Sequence, residues 1–275
     1  MQNEAEARIL VERMREQTQL HPDNPAAWYN LGVAQGMLGA RKEAIPAYRT
    51  AIEYDPEYVA AHFNLGCSLL ETGAPEQARI EFEKVTELAP EVADGFFMLG
   101  TTYGALDQPE KLIEATEAGL QLEPDSARAH FNLGLACNRL HRFKEAMDYF
   151  TRLISLDDQY PLAHFELGKA YRGLNMTDEE IQAYQDALNI QNDCFDAWLY
   201  LGAAFLKTQR GSAADVKYID AGGQLLLGDP EHIFYFSLGM LAFGNKYDAI
   251  ATASQLKESS PELFREFQQY ADAAI

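Results

Sequence analysis

One dipeptide, leucine followed by glycine, recurs through this 275-residue chain at a fixed interval. Six pairs begin 34 residues apart, at Leu31, Leu65, Leu99, Leu133, Leu167 and Leu201. A seventh pair, at an irregular interval, begins at Leu238. The hexapeptide AHFNLG stands at 61–66 and 129–134, and AHFELG stands at 163–168, in the same register. A fixed period of this length indicates a repeat architecture, in which one small unit is stacked many times.

Each period contains two segments with helical spacing. In residues 25–58, apolar or small residues recur at steps of three and four on both sides of Gly39, which favours a helix, a turn and a second helix. The dipeptide Asp55-Pro56 ends the second segment, because the residue before a proline is pushed out of helical geometry. The pattern therefore predicts an all-α fold.

At these positions the chain resembles the tetratricopeptide repeat (TPR) family, whose repeat carries W-x2-L-G-x2-Y, then Ala-x3-Phe, then Pro. The first copy matches that motif at Trp28, Leu31, Gly32, Ala44, Tyr48 and Pro56. The resemblance implies a right-handed α-solenoid of TPR helix-turn-helix repeats. The third copy departs from the motif, because Leu112 replaces the small alanine and Thr116 replaces the aromatic residue. We expect the fold to survive this exchange of sizes.

The register also predicts where the repeats begin and end. Residues 1–24 form an N-terminal capping helix or half-repeat, in which Leu10 and Met14 take packing positions. A polar outer face at each end is what a stacked array needs, and the last segment supplies one as a C-terminal capping helix. The predicted repeats are 25–58, 59–92, 93–126, 127–160, 161–194 and 195–228, followed by an irregular seventh at 229–258 and the cap at 259–275.

Charge and cysteine usage exclude several classes of partner. The formal net charge is −20, which argues against nucleic acid and against an anionic membrane surface, since both require a basic protein face. The N-terminus lacks the pattern of a secretory signal, and no apolar run is long enough to span a bilayer. Three cysteines without a CxxC pair fit a reducing compartment. We therefore expect an acidic cytoplasmic protein.

The sequence contains no signature of catalysis. It has no GxSxG, no phosphate-binding GxxxxGK[ST] and no HExxH, which are the motifs that place a nucleophile, a phosphate or a zinc ion. His62, His130 and His164 all occupy the fourth position of a repeat, where Trp28 stands in the first copy. We interpret them as packing residues and expect no enzyme activity, no cofactor and no metal.

The resemblance implies that the first helices of the repeats line a concave groove, in which partners bind. Two rows of residues are predicted to face it. The fifth positions form an aromatic row, and the sixth positions offer asparagine amides that can hold a peptide backbone. Their members are Tyr29, Phe63, Phe97, Phe131 and Phe165, and Asn30, Asn64 and Asn132. The alternative is that the rings only cover the preceding repeat.

Basic residues are concentrated in the later first helices of an otherwise acidic chain. They are Arg128, Arg139, Lys169, Arg172 and Lys207. Arginine suits a carboxylate because its guanidinium can bind both oxygens, so this patch predicts a partner with an acidic or C-terminal carboxylate feature. The alternative is that these cations pair locally with neighbouring acids.

The function predicted from these observations is a protein–protein interaction scaffold or adaptor. Its groove would hold an extended or helical segment of another protein. Two alternatives remain open: a self-assembling scaffold, in which the protein is a homo-oligomer, and a non-catalytic regulatory or substrate-recruiting subunit of an enzyme complex.

Overall fold

The computed structural model describes residues 2–191, 194–208, 230, 233–234, 237–238, 241 and 246–273. Nearly all of this part of the chain is helical, and it contains no strand. No helix within it is both long and apolar enough to cross a membrane. The helices are α1 (Gln2–Leu20), α2 (Pro25–Met37), α3 (Arg41–Tyr54), α4 (Val59–Glu71), α5 (Pro75–Leu88), α6 (Ala93–Ala105), α7 (Pro109–Leu122), α8 (Ala127–Arg139), α9 (Phe143–Leu156), α10 (Pro161–Gly173), α11 (Thr177–Ile190), α12 (Phe195–Thr208), α13 (Lys246–Ala253), α14 (Leu256–Ser259) and α15 (Pro261–Ala273).

The chain divides into two compact units, Met1–Ala136 and Cys137–Ile275. In the first unit α1 packs on α2, and the helix pairs α2–α3, α4–α5 and α6–α7 follow, with α3 also contacting α4 and α5 also contacting α6. In the second unit α9, α10, α11 and α12 pack in sequence, and α13 and α14 pack on α15. This is the all-α fold of paired helices that the period predicts and that the resemblance to TPR proteins implies, and the prediction is confirmed.

The turns inside the repeats share one backbone feature. A residue with positive φ stands between the two helices of each pair, at Gly39, Gly73, Asp107, His141 and Asn175. Glycine adopts this left-handed conformation without a steric cost, and asparagine and aspartate adopt it more readily than most residues do. Several helices of the repeats begin with proline, among them α5, α7 and α10. At the first position of a helix the missing N–H of proline costs no helical hydrogen bond.

A ring packed against a glycine holds the two helices of a repeat together. A Cβ added at Gly66 would lie 2.7 Å from the ring of Phe82, and one added at Gly168 would lie 2.4 Å from the ring of Tyr184. Both rings are fully buried. The glycine of the Leu-Gly pair is therefore needed because the ring of the second helix occupies the space of its side chain.

The third repeat lacks such a ring. Gly100 faces the hydroxyl of Thr116 instead, while the side chain of Leu112, one turn earlier on α7, lies near Gly104. Helices α6 and α7 still have the same lengths as the other helix pairs of this unit. The fold survives the exchange of sizes, as expected, but Thr116 is much smaller than the ring that it replaces.

The fourth-position residues anchor the turns between repeats. In four of the repeats a ring N–H at this position reaches the backbone carbonyl six residues earlier. Trp28 Nε1 donates to the Pro22 carbonyl at 2.8 Å, and the imidazole Nε2 atoms lie 3.0, 2.9 and 3.2 Å from the carbonyl oxygens of their turns, in the pairs His62–Pro56, His130–Pro124 and His164–Asp158. The histidines are thus packing residues with one additional task, which is to satisfy a carbonyl of the turn.

The two ends of the chain are packed differently. At the N-terminus Leu10 and Met14 of α1 lie partly buried against a small core that contains Val11 and Leu31. At the C-terminus Phe267 of α15 is fully buried in a hydrophobic cluster, and the partly buried Leu263 packs against that cluster. The second helix of the predicted sixth repeat and much of the seventh lie outside the described residues.

Candidate functional site

The predicted rows meet on one face of the first unit, formed by α2, α4, α6 and residues 127–136 of α8. We call it the first-helix face. Tyr29 is half-buried there, and its ring tilts against the rings of Tyr48 and Tyr58, with centroids 6.0 and 5.0 Å away. The side-chain amide of Asn64 donates a hydrogen bond to the Tyr29 hydroxyl at 3.1 Å. This bond joins two repeats and uses one of the asparagines that were predicted to hold a partner.

Phe63 and Phe97 are the central rings of this face, and both are half-buried. Phe63 meets Phe82 edge to face, with centroids 5.7 Å apart. Phe97 has no such aromatic partner in its own repeat and lies on the backbone of α7, where a Cβ added at Gly119 would be 2.5 Å from the ring. Each ring therefore covers its own second helix with one side, and the other side contributes to the surface.

A cavity of about 210 Å³ opens between these two rings. Its apolar wall is formed by Phe63, Phe97 and Met98, with Thr116 behind them. In the neighbouring repeats a buried ring, Tyr48 or Phe82, stands where Thr116 stands here. The third repeat thus leaves space between the rings of its first-helix face, and that space is open to solvent.

Charged and polar groups surround the mouth of the cavity. Arg128 lies on one side, and the carboxylates of Asp94 and Glu123 and the amide of Asn132 complete the rim. Arg128 is exposed and, within the residues that the structure describes, makes no hydrogen bond or ion pair. Its positive charge also acts on the thiol of Cys67. Burial and the Glu71 carboxylate raise the pKa of that thiol to about 11, and the charges of Arg41 and Arg128 oppose this rise.

The remaining predicted residues of the first unit differ in exposure. Asn30 is exposed on α2, whereas Phe131 and Asn132 are half-buried on α8. Phe131 already has contacts with other side chains. The structure therefore brings Phe63, Phe97, Arg128 and Asn132 together at one cavity. The other predicted residues of this unit do not line it; they are Tyr29, Asn30, Asn64 and Phe131.

The predicted residues of the second unit are largely engaged within the protein. Phe165 is only 7% exposed and packs against Tyr184 and Tyr200, with ring centroids 5.8 and 5.6 Å away. Because its ring is buried, we leave Phe165 out of the surface that is open to a partner. Arg172 lies over the ring of Tyr200 at 5.1 Å, and the exposed Arg139 also has a contact of its own.

Lys169 is an example of a basic residue that pairs with a neighbouring acid within the protein. Its ammonium group donates to Glu166 at 2.9 Å and lies 5.5 Å from the centroid of the Phe165 ring. Glu166 is itself buried and accepts a second hydrogen bond from the amide of Asn138 at 3.0 Å. The alternative of local pairing therefore holds for Lys169. The side chain of Lys207 lies outside the described residues.

Sequence reasoning did not name Met98, Glu123 or Thr116 as site residues. Thr116 carried the signal, because it breaks the aromatic pattern of the second helices. Met98 interrupts the asparagine row, and Glu123 follows the end of α7. A departure from the repeat pattern, rather than a match to it, marks this part of the surface.

Comparisons with known proteins agree with this architecture. Models of the tetratricopeptide repeat match residues 25–58, 47–80, 97–161 and 162–194, which together span more than half of the chain. The chain belongs to the tetratricopeptide repeat family. TPR proteins are generally non-catalytic scaffolds, and membership of the family supports a protein-interaction scaffold in general.

Solved TPR structures share the fold. YrrB, described as a TPR protein with an unusual peptide-binding site, is 21% identical, with a TM-score of 0.63, over 68% of this chain and 96% of its own. A crystal structure of MamA is 25% identical, with a TM-score of 0.57, over 59% of this chain and 95% of its own. The Cut9–Hcn1 complex of APC/C includes a chain that is 16% identical, with a TM-score of 0.59, over 86% of this chain and 47% of its own. No curated protein matches the sequence.

Proposed function

We propose that the first-helix face of the first unit holds an extended segment of a partner protein, with one apolar side chain of that segment in the cavity. The observation that carries the proposal is the space beside Thr116, which a ring fills in the neighbouring repeats. The protein would act as a scaffold or adaptor in the cytoplasm, in keeping with the free thiols of Cys67, Cys137 and Cys194.

The size of the cavity selects the kind of side chain. A buried cavity of about 150 Å³ is enough to hold a benzene molecule, so about 210 Å³ accommodates a side chain of the size of leucine, methionine or phenylalanine. The walls formed by Phe63, Phe97 and Met98 are apolar, and removing such a side chain from water contributes about 1.5–3 kcal/mol. One anchor of this kind, at the centre of a small interface, is a typical binding hot spot.

Polar groups of the first-helix face suit the backbone and the charge of the segment. Asn132 at the rim offers both a donor and an acceptor to a peptide group. Asn64 donates to Tyr29, and its carbonyl oxygen can still accept. Arg128 is a binding partner for a carboxylate next to the anchor. Arg128 alone is therefore the residue that we propose to bind the acidic or C-terminal carboxylate predicted for the partner.

The peptide-binding site named for YrrB is consistent with this proposal but does not carry it, because an identity of 21% indicates a shared fold only. The face combines exposed aromatic surface, unpaired hydrogen-bonding groups and an open cavity within one compact unit, which are the features that a short peptide segment uses for binding.

The test uses a variant that closes the cavity with a packing arrangement that this chain already contains. Leu112→Ala with Thr116→Phe restores the alanine and ring found as Ala78 and Phe82 in the second repeat, where both are fully buried. Peptides selected on the parent protein from a random displayed library are then measured on the variant. We expect the affinity to fall by about tenfold to a hundredfold, because the anchor loses its pocket.

Two controls define the outcome. Helical content, measured by circular dichroism, shows whether the double variant folds. Arg128→Glu should weaken only those peptides that carry a carboxylate, while Lys42→Glu, which makes a similar change of charge at an exposed position on α3, should leave them unaffected. Selected peptides that bind the folded double variant as tightly as the parent would contradict the proposal.

Self-assembly is a second candidate because α1 exposes two apolar side chains. Ile9 and Leu20 are 68% and 66% exposed, and at about 3.6 residues per turn their spacing places them on the same side of the helix. If this face pairs with another copy, light scattering will show a mass that rises with concentration, and Ile9→Glu with Leu20→Glu will abolish the rise. A constant monomer mass rules this candidate out.

A further inference from the structure

A groove in the second unit lies between α9 and α11, with α10 as its floor. Its volume is about 290 Å³. Ile154 and the buried Leu167 line it with apolar surface, Tyr171 presents part of its ring, and Glu179 and Asp186 contribute carboxylates at the rim. The groove is distinct from the first-helix face, because it is formed by residues of the second unit only.

The repeat register provides an internal comparison for this groove. Tyr103 in the third repeat corresponds to Tyr171 in the fifth. The Tyr103 hydroxyl donates to Glu83 at 3.1 Å, and the ammonium group of Lys111 lies 5.4 Å from the centroid of its ring. At that junction, therefore, a lysine of the protein itself covers the face of the tyrosine.

At the groove, the residues that correspond to this arrangement have changed. Glu179 takes the place of Lys111, Thr151 takes the place of Glu83, and Asp186 adds a second carboxylate. Among the described residues, no cation lies over the ring of Tyr171. Burial raises the pKa of the Tyr171 hydroxyl, and the nearby Glu179 carboxylate raises it further, so the charge that acts on this tyrosine is negative.

We propose that this groove binds a lysine or arginine side chain of a partner protein, in the position that Lys111 takes at the corresponding junction. The cation would lie over the ring of Tyr171 and between the carboxylates of Glu179 and Asp186, and its aliphatic stem would pack on Ile154 and Leu167. Such side chains bury their stems on apolar surface while the charged end finds polar partners. The formal net charge of −20 attracts basic partners over a distance.

The test uses a fluorescein-labelled tetra-arginine peptide, with binding followed by fluorescence anisotropy at about 0.15 M ionic strength, where the Debye length is about 8 Å. Glu179→Lys supplies an internal cation in the manner of Lys111 and should lower the affinity at least about tenfold, because the site is filled and its two negative charges are reduced to a net charge of zero. The matched control is Glu91→Lys, which makes the same change of charge at an exposed turn in the first unit. It should lower the affinity by less than about twofold, because Glu91 does not line the groove and exposed charges outside the site are screened.

A second variant tests the ring and leaves the charge unchanged. Tyr171→Leu should lower the affinity by about threefold to tenfold, which is the range of a partly exposed cation–π contact. Thermal unfolding shows whether this half-buried substitution is tolerated, and Glu179→Lys at an exposed position keeps the test open if it is not. The double variant Leu112→Ala with Thr116→Phe should bind tetra-arginine like the parent, which separates this site from the first-helix face.

Two results would overturn the inference. If Glu179→Lys and Glu91→Lys weaken binding equally, the peptide is held only by the overall negative charge. If folded Tyr171→Leu binds as tightly as the parent, the ring has no part in recognition.

Discussion

His62 offers a test of how the turns between repeats are held. Its Nε2 lies 3.0 Å from the Pro56 carbonyl oxygen, and its Nδ1 lies 2.7 Å from a carboxylate oxygen of Glu81. The substitution His62→Phe removes both contacts. It should keep the packing, because Phe96 occupies the same position in the third repeat and is half-buried there.

The expected cost follows from the two bonds. A neutral hydrogen bond contributes about 1 kcal/mol to stability, and a bond that involves a charged partner contributes about 1.5–3 kcal/mol. The bond to Pro56 persists in the neutral imidazole, which donates from Nε2. The contact with Glu81 is favourable only when Nδ1 also carries a proton, because a neutral ring would turn a lone pair towards the carboxylate. The substitution should therefore cost about 2–4 kcal/mol when His62 is charged and about 1 kcal/mol when it is neutral.

The pH dependence has a defined sign. Burial lowers the pKa of His62, but the bonds to Glu81 and to the Pro56 carbonyl outweigh it, so the pKa is raised above the ordinary value of 6.5. A group whose pKa is higher in the folded state than in the unfolded state stabilises the fold fully below its unfolded pKa. That contribution is lost as the pH rises through the folded pKa. The difference between parent and variant should thus shrink from pH 5.5 to pH 9.

The assay is urea unfolding of the parent and of His62→Phe at several pH values in that range. His164→Phe is the matched control, since His164 makes a single backbone bond at 3.2 Å and should cost about 1 kcal/mol. In a Glu81→Gln background the pH-dependent part of the His62→Phe effect should disappear. A cost for His62→Phe that stays constant from pH 5.5 to 9 would refute this account of the Glu81 contact.

Three further substitutions or treatments test the packing. Gly66→Ala places a Cβ 2.7 Å from the fully buried ring of Phe82 and should lower the free energy of unfolding by about 1–3 kcal/mol in a thermal melt. Glu166→Gln removes the charge that pairs with Lys169 but keeps a hydrogen-bonding amide, so urea unfolding should show a loss of about 1 kcal/mol or less. Cys67, whose pKa is raised to about 11, should react with iodoacetamide at pH 8 about a hundredfold more slowly than the same thiol in urea, as measured by mass spectrometry.

The two substitutions each have a control within the chain. Gly104→Ala meets only the flexible end of Leu112, at 3.0 Å, and should be nearly neutral. Glu145→Gln breaks a surface pair with Arg142 and should cost no more than about 0.5 kcal/mol. Equal effects of Gly66→Ala and Gly104→Ala would contradict the role given to the ring of Phe82. A large loss with Glu166→Gln would mean that the Lys169 pair is a major support of the second unit.

The fold could be predicted from the sequence because the Leu-Gly pairs recur at a fixed interval. The Leu-Gly pairs mark where one helix must approach the next, and the structure explains why: at Gly66 the ring of Phe82 fills the space of a side chain. The fourth-position histidines were interpreted as packing residues, which they are, but their bond to the carbonyl six residues earlier was missed. This bond could have been predicted from Trp28 at the same position, since indole and imidazole both offer a ring N–H.

The candidate site could be predicted only in part, because exposure depends on neighbours that are distant in sequence. Phe165 and Phe97 hold the same repeat position, yet Phe165 is buried by Tyr200 and Phe97 borders a cavity. Lys169 and Glu166 are three residues apart on α10, so their pairing could have been expected from helical spacing. The cavity could not, because the sequence shows that Thr116 is smaller than a ring without showing that the space stays open.

Both proposed contact sites have the same physical origin. In each, a residue that closes a junction elsewhere in the register is replaced by one that leaves it open: Thr116 where Phe82 fills the contact, and Glu179 where Lys111 covers a ring. A repeat is stabilised mainly by its own helices and its nearest neighbours, so the rest of the array tolerates such an exchange. Changing these positions back to their counterparts is therefore more informative than changing them to alanine, because it fills the site with a packing arrangement that the chain already uses, and a loss of binding can then be separated from a loss of fold.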